Sequence, residues 1–182
     1  MIDTEQTVEI DASIERVWNF AHNIRAWAKL MPGLQNCDVI DESNSRWTLK
    51  VGAGALVRTV KVTVNVHRWA GPEEVDFTYV LQGDPVKGRG TYRAGVCGPN
   101  QTQVALAIEV EGTGPMAPMW EAMGRPLLPK FARGFADEFK SEVELSAGVT
   151  QAKSAGASRR SVFARLVEWI RRLLGRTADA AR

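Results

Sequence analysis

The sequence predicts an α+β fold in which a curved antiparallel sheet of about seven strands wraps around a long C-terminal helix, with two short helices after the first strand. Two observations lead to this prediction. Apolar and polar residues alternate through residues 37–112, and turn-forming residues divide the region into short runs, as in an antiparallel sheet with one dry face. On both sides of this region apolar residues recur at helical spacing. A sheet with its helices on one face must curl around the long helix, which leaves a cup-shaped interior.

The first predicted elements are a strand and two short helices. Thr7–Asp11 alternates apolar and polar residues, and Ser13 is a candidate N-cap for a helix that continues to about Ala21. The second helix begins at residue 23 or 24 and ends at Met31, because Pro32-Gly33 cannot continue it.

Six strands are predicted between Cys37 and Gly112, separated by turns such as Gly71-Pro72. The segment Gly52-Ala53-Gly54 suits a bulge or a tight turn between two of them. The apolar residues that alternate along these strands are Val39, Trp47, Leu49, Val51, Val60, Val62, Val64, Val66, Val75, Phe77, Tyr79, Leu81, Tyr92, Val104, Leu106, Ile108 and Val110.

The chain becomes helical again after Pro115 and stays so to about Leu145. Pro126 and Pro129 each remove an amide donor. The sequence therefore predicts either a bent helix or a short helix followed by a longer one.

The length and composition predict one core with an appendage. The chain has 182 residues, of which 45% are hydrophobic and 24% charged, which is too short for two domains of ordinary size. No signal peptide is recognisable and no apolar run approaches the roughly 20 residues of a membrane-spanning helix, so we expect a cytoplasmic protein. Cys37 and Cys97 lack the spacing of a metal site; we expect reduced, partly buried thiols, with a structural disulfide as the alternative.

Charge divides the chain into an acidic domain at residues 1–145 and a basic tail. The domain has 15 Lys and Arg against 19 Asp and Glu, whereas residues 146–182 have 8 against 2. Within the tail, the small and polar residues 146–158 predict a flexible linker, residues 159–175 an amphipathic helix, and residues 176–182 a disordered end.

The predicted tail helix has the composition of a membrane-binding helix. An apolar face can enter the headgroup boundary while arginines meet anionic lipid, so we expect peripheral association with the inner face of the cell membrane. Docking on the chain's own domain and pairing with another protein are the alternatives, whereas nucleic acid is not expected beside an acidic domain. The candidate membrane-binding residues are Phe163, Leu166, Trp169, Ile170, Leu173, Arg165, Arg171 and Arg172.

Several segments carry a resemblance to a known family. They are Val17-Trp18, Leu30-Met31-Pro32-Gly33 followed by Cys37, Gly88-Arg89-Gly90, and the closing-helix residues Phe131, Phe135 and Phe139. The chain resembles the helix-grip fold of the START and polyketide-cyclase superfamily over most of its acidic domain, and it is most similar to the G-subunit family of carbon monoxide dehydrogenase.

The resemblance implies a protein that binds a hydrophobic ligand and links molybdenum hydroxylases to the membrane or to quinone. An isoprenoid quinone of the menaquinone type is the ligand it implies, and a molybdenum-containing carbon monoxide dehydrogenase or similar oxidoreductase is the implied partner. No covalent cofactor is expected, although a quinone or another lipid would be bound.

The predicted interior is rich in bulky aromatic and methionine side chains, which suit a flat ring or an isoprenoid chain. Ordinary core packing is the alternative role for each of them. The candidate ligand-binding residues are Trp27, Met31, Trp47, Phe77, Tyr79, Tyr92, Met116, Met119, Trp120, Met123, Phe131 and Phe135. Tyr79 and Tyr92 could each offer a hydroxyl to a carbonyl oxygen, and Trp27, Leu30 and Met31 could form a lid or simply close the core.

The sequence offers little for catalysis or metal binding. Its two histidines are His22 and His67, and His67 falls on the expected wet face of its strand. No His/Cys/Asp cluster has metal-ligand spacing, and no nucleophile elbow or phosphate-binding loop is present. A noncatalytic carrier is therefore expected. An aromatase- or cyclase-like enzyme and a ligand-free adaptor that recruits an oxidoreductase to the membrane are the alternatives.

Overall fold

The computed structural model describes residues 1–53, 56–115, 117–126 and 128–148, with side chains described except at residues 51–53, 56–58, 119, 120 and 123. The elements in chain order are β1 (Ile2–Ile10), α1 (Ile14–Ala21), α2 (Ile24–Ala28), β2 (Leu34–Val39), β3 (Asn44–Ala53), β4 (Leu56–Ala70), β5 (Glu74–Gln82), β6 (Val86–Gly98), β7 (Gln101–Gly112), α3 (Ala117–Gly124) and α4 (Leu128–Ser146).

The strands form one antiparallel, curved sheet of seven strands in the order β1-β7-β6-β5-β4-β3-β2. Five of the six strand pairs join strands that are consecutive in sequence. The sixth pairs β1 with β7, so that β1 and β2 are the two edge strands. This architecture confirms the predicted α+β helix-grip fold, with the two short helices after the first strand and the long helix at the end of the domain.

The long helix α4 packs mainly against β1 and buries one face. That face presents Ala132, Ala136, Phe139 and Val143 at three- or four-residue steps. Phe139 meets Phe20 of α1 edge to face, with ring centroids 5.2 Å apart. The small alanines let α4 approach the β1 side, while the phenylalanine ties α1 to it.

One helix ends earlier than predicted, and at Pro126 the structure shows which of the two predicted alternatives occurs. α2 ends at Ala28 rather than Met31, because the following amides bond three residues back and tighten the chain into turns: Leu30 N–H to Trp27 at 3.1 Å, and Met31 N–H to Ala28 at 2.9 Å. Near Pro126 the chain forms a short helix followed by a longer one. Pro129 is tolerated because it lies in the first turn of α4, where its missing amide has no intrahelical partner.

Strand β1 is longer than predicted, beginning at Ile2 rather than Thr7. It pairs with β7 over its whole length, from Ile2 opposite Val110 to Ile10 opposite Thr102. The first part of β1 shows no clear alternation of apolar and polar residues, because its half-buried positions include polar residues as well as apolar ones. Pairing with β7, rather than the apolar pattern, therefore sets its start.

Both cysteines are free thiols, but only Cys37 is partly buried, and burial raises its pKa. The expectation that Cys97 is partly buried is wrong, because its strand position near the end of β6 leaves it exposed.

The predicted linker, amphipathic helix and disordered end lie outside the described residues, apart from residues 146–148. Of these, Ser146 is the last residue of α4 and the other two follow it. Every candidate membrane-binding residue also lies outside the described residues: Phe163, Leu166, Trp169, Ile170, Leu173, Arg165, Arg171 and Arg172. In the described part of the chain, no helix combines the length and hydropathy needed to cross a membrane.

Candidate ligand-binding cavity

A cavity of about 330 Å³ lies between the inner face of the sheet and α4, and it is partly open to the surface. Almost all of its wall is apolar. The lining residues are Ala21, Trp27, Met31, Trp47, Leu49, Val60, Val62, Val64, Val75, Phe77, Tyr79, Leu81, Val86, Thr91, Tyr92, Leu106, Ala107, Ile108, Val110, Leu128, Phe131, Ala132, Phe135 and Phe139.

The structure brings together the sequence-predicted residues whose side chains it describes. Those that line the cavity are Trp27, Met31, Trp47, Phe77, Tyr79, Tyr92, Phe131 and Phe135. The side chains of Met119, Trp120 and Met123 on α3, and the whole of Met116, lie outside the described part of the structure.

The aliphatic walls of the cavity were not among the predicted ligand-binding residues. Val60, Val62 and Val64 of β4 line it together with residues of β3 and β7, because inward positions recur every second residue along a strand. The same alternation that predicted the strands carried this signal, since a residue on the dry face of a curved sheet also faces the interior that the sheet encloses.

Two glycines of β6 make room for two aromatic rings of β5. Gly90 pairs with Phe77, and Gly88 pairs with Tyr79, across the antiparallel ladder. A Cβ atom at Gly90 would overlap the Phe77 ring, and one at Gly88 would overlap the Tyr79 ring and the Glu109 carbonyl. The rings therefore lie against the backbone of β6, where they form an aromatic part of the cavity wall. This close approach is the structural reason for the Gly-Arg-Gly segment.

Trp27 is placed over the cavity by the short helix α2. The Asn23 side chain begins this helix by accepting a hydrogen bond from the Ala26 amide at 3.1 Å. The Trp27 ring then lies 5.2 Å from Trp47, edge to face, and 5.5 Å from Phe77, measured between ring centroids. Trp27 thus connects α2 to the aromatic wall formed by β3 and β5.

The three residues considered for a lid divide between two positions. Trp27 and Met31 line the cavity. Leu30 is buried in the core cluster with Ile10 and Val17, so its role is to close the core.

Two polar side chains in the cavity wall have partners within the protein. The Tyr79 hydroxyl donates to the Glu109 carbonyl oxygen at 2.9 Å, and the Trp47 indole N–H donates to Ser45 Oγ at 2.9 Å. The first bond corrects the expectation that both cavity tyrosines have a hydroxyl available to a ligand. Tyr79 contributes its ring to the wall, while its hydroxyl is bound to the backbone of β7.

For two other polar atoms, on residues that line the cavity, the described part of the chain offers no such partner. The Tyr92 hydroxyl and the Trp27 indole Nε1 are buried, and neither has a hydrogen-bond partner among the described residues. Burial raises the pKa of Tyr92, and burial together with the charge of Glu109 raises the pKa of Tyr79. Both phenols therefore remain protonated at neutral pH, and Tyr92 can act as a donor.

The histidines lie outside the cavity wall. His67 is exposed, as expected for the wet face, and its Nε2 is 2.6 Å from Thr78 Oγ1. His22 is exposed and packs beside Trp18 and Trp69, with ring centroids 5.4 and 4.8 Å away. Among the residues that the structure describes, no group of three His, Cys, Asp or Glu side chains could hold a metal ion.

Solved structures share this fold at low sequence identity. A conserved protein from Geobacillus kaustophilus is 18% identical, with a TM-score of 0.69 over 80% of this chain and 97% of its own. The Zhui aromatase/cyclase from Streptomyces sp. R1128 is 16% identical, with a TM-score of 0.57 over 86% of this chain and 99% of its own. A START superfamily protein from Mycobacterium smegmatis is 20% identical, with a TM-score of 0.53 over 83% of this chain and 99% of its own.

No curated protein matches the chain. The sequence of residues 1–144 matches the family model described as polyketide cyclase / dehydrase and lipid transport. The match spans β1 through nearly all of α4, so it includes every described element that lines the cavity. The chain therefore belongs to the polyketide cyclase/dehydrase and lipid-transport family.

Proposed function

We propose that this chain is a noncatalytic carrier of a hydrophobic small molecule. The observation that carries the proposal is the apolar cavity of about 330 Å³, partly open to the surface. Its volume falls at the lower end of the roughly 300–1,000 Å³ typical of small-molecule pockets. An apolar ligand in a cavity of this size would make many packing contacts with the lining residues. A ligand-free adaptor has no use for such a space, so the cavity counts against that alternative.

The chemistry of the wall supports a carrier rather than an enzyme. The lining residues include no histidine, carboxylate, lysine or arginine, so the described wall has no group that exchanges protons readily at neutral pH. Its two tyrosines hold their protons there because burial raises their pKa values. Such a wall binds and shields an apolar molecule, but it provides few means to transform one.

The ligand we propose is an isoprenoid quinone or a molecule like it. Flat aromatic faces at Trp27, Trp47 and Phe77 suit a quinone ring, and the aliphatic residues of β4 and β7 suit the start of a polyprenyl chain. The proposal of carbon monoxide dehydrogenase, or a similar molybdenum oxidoreductase, as the recipient rests on the sequence resemblance to the G-subunit family of that enzyme.

The exchange of such a ligand with a membrane is assigned to the basic tail. Its apolar stripe and arginines would hold the chain at the inner face of the cell membrane, with each basic residue adding about 1 kcal/mol near an anionic surface. Co-sedimentation of the full chain with anionic vesicles tests this assignment. Trp169→Glu should weaken binding strongly, whereas Glu168→Gln, on the opposite predicted face, should not. Equal weakening by the two substitutions, or no binding by the unaltered chain, would contradict it.

The carrier proposal is tested by what the purified protein contains. Solvent extraction and mass spectrometry should recover an apolar molecule from the unaltered chain. Val62→Phe adds a ring to the cavity wall and should reduce the recovered amount, whereas Val80→Phe, at a position 51% exposed, should leave it unchanged. Circular dichroism spectra of both variants establish that they are folded. Recovery of no apolar molecule, or of the same amount from both folded variants, would contradict the proposal.

One observation favours an enzyme of the aromatase/cyclase kind as the second candidate. Tyr92 lines the cavity, and its protonated hydroxyl has no hydrogen-bond partner among the described residues. Such a donor can polarise a substrate carbonyl. Incubation with a poly-β-ketone thioester analogue, followed by product analysis, tests this candidate. Cyclised product that disappears in Tyr92→Phe would favour the enzyme over the carrier.

A further inference from the structure

We propose that Tyr92 and Trp27 together select ligands that carry acceptor oxygen atoms, and that they discriminate against hydrocarbons of the same shape. This inference rests on the proposed function and concerns what the cavity recognises. The sequence suggested Tyr79 and Tyr92 as the two hydrogen-bond donors to a ligand. The Tyr79 hydroxyl is bound to Glu109, so we assign Trp27 in its place as the second donor.

The surroundings of Tyr92 provide no acceptor for its hydroxyl among the described residues. The side chain is 5% exposed, and its ring lies 6.5 Å from Trp18 and 6.3 Å from Phe139 between centroids. Its other neighbours in the core cluster include Val75 and Val104. A buried hydroxyl without a partner in the described part of the chain has lost its water without regaining a hydrogen bond, which is costly.

The surroundings of Trp27 have the same character. Its ring meets the aromatic rings of Trp47 and Phe77, and its Nε1 is buried without a partner in the described part of the chain. Trp47 shows the contrast, because its own indole N–H donates to Ser45 Oγ. An indole N–H in a core is normally paired, so the Trp27 indole, which has no partner among the described residues, is the unusual one.

Strand pairing and ring contacts connect the two donor-bearing residues to one aromatic ring. Tyr92 follows Gly90 by two residues on β6, so the two residues face the same side of the sheet. The Phe77 ring lies against Gly90 and also meets Trp27. Both donor-bearing residues therefore line the same cavity as Phe77, where a flat ligand would stack.

The donor chemistry defines the class of ligand. An indole N–H can only donate, and a phenol hydroxyl donates readily to a carbonyl oxygen. A molecule with only donor groups leaves Trp27 unpaired, and a hydrocarbon leaves both residues unpaired. The structure therefore favours an apolar molecule with carbonyl or ether oxygens, a class that includes quinones and other aromatic ketones.

The test compares two small probes of similar shape on the full chain: menadione, which has two carbonyl oxygens, and methylnaphthalene, which has none. Displacement of a fluorescent apolar dye gives the affinity of each probe, after the dye's own affinity is measured for every variant. The variants are Tyr92→Phe and Trp27→Phe. Tyr79→Phe is the matched control, because it also removes a phenol hydroxyl from a cavity residue, but one that is bound to the backbone.

We expect the unaltered chain to prefer menadione by at least about tenfold, the usual scale of one buried hydrogen bond. Tyr92→Phe and Trp27→Phe should each reduce this preference severalfold, and Tyr79→Phe should leave it unchanged. Equal affinities for the two probes, or a preference that neither variant reduces, would overturn the inference while leaving the carrier proposal standing. Failure of both probes to bind would overturn both.

Discussion

Removal of a single hydroxyl from each cavity tyrosine should have opposite effects on the stability of the ligand-free protein. Tyr79→Phe deletes a 2.9 Å hydrogen bond to the Glu109 carbonyl, which costs about 1 kcal/mol, the typical net value for one such bond. Tyr92→Phe deletes a buried hydroxyl that has no partner among the described residues, so the desolvation penalty of that group is recovered. We expect this change to stabilise the domain by about 1 kcal/mol.

The two variants should therefore differ by about 2 kcal/mol in their free energies of unfolding. For a protein of this size the difference corresponds to about 4–8 °C between their melting temperatures. Urea unfolding of delipidated protein, followed by tryptophan fluorescence, measures it, and equal slopes in urea would show that both variants expose the same surface. If Tyr92→Phe destabilises the protein as much as Tyr79→Phe does, the Tyr92 hydroxyl has a partner and the cavity wall does not contain the unpaired donor described above.

Three further predictions concern a glycine of the sheet, two glycines in turns, and the effect of pH. Gly90→Ala should destabilise the domain by about 1–3 kcal/mol in urea unfolding, because its Cβ would overlap the Phe77 ring. Gly95→Ala is the control and should not destabilise it, because nothing lies within 4 Å of a Cβ at that position. Similar losses of stability in the two variants would contradict the packing argument. Gly33→Ala and Gly83→Ala both place alanine at a positive φ, of 77° and 82°, but only the former also meets a β3 carbonyl. The melting temperature of Gly33→Ala should therefore fall further than that of Gly83→Ala. Equal falls would show that the positive φ angle alone accounts for the loss of stability. The raised pKa values of the two buried tyrosines mean that the unfolded chain loses these protons first, so their contribution to stability is complete below about pH 10 and declines as the pH rises above it. The double tyrosine-to-phenylalanine variant should show a shallower alkaline decline in urea midpoints than the unaltered chain, and an unchanged decline would assign the effect to other groups.

The parts of the fold that the sequence predicted are those where burial imposes a simple period. Val60, Val62 and Val64 alternate with polar residues because one face of β4 is buried, and that face lines the cavity. The start of β1 was not predictable in this way, because Thr4 and Gln6 occupy its half-buried positions. There the pairing with β7, which joins residues about a hundred positions apart, decides the structure.

The sequence also could not show which polar groups of the site have hydrogen-bond partners. Tyr79 and Tyr92 look equivalent as inward residues of neighbouring strands, yet the partner of Tyr79 is a backbone carbonyl 30 residues away. That contact requires a side chain of β5 to pass over Gly88 of β6 and reach β7, so it depends on the register of three strands. Patterns of apolar residues report which face is buried, but they do not report which donors are left without acceptors.

The glycine and aromatic pairs of β5 and β6 constrain how this cavity can diversify. A larger residue at Gly90 fits only if Phe77 becomes smaller, so the two positions must change together. The same holds for Gly88 and Tyr79, whose exchange would also release a hydrogen bond to β7. Each pair thus acts as an adjustable unit: exchanging bulk between the strands would move the wall inward or outward without altering the sheet. Redesign of the chain for other ligands can begin with these compensated double substitutions.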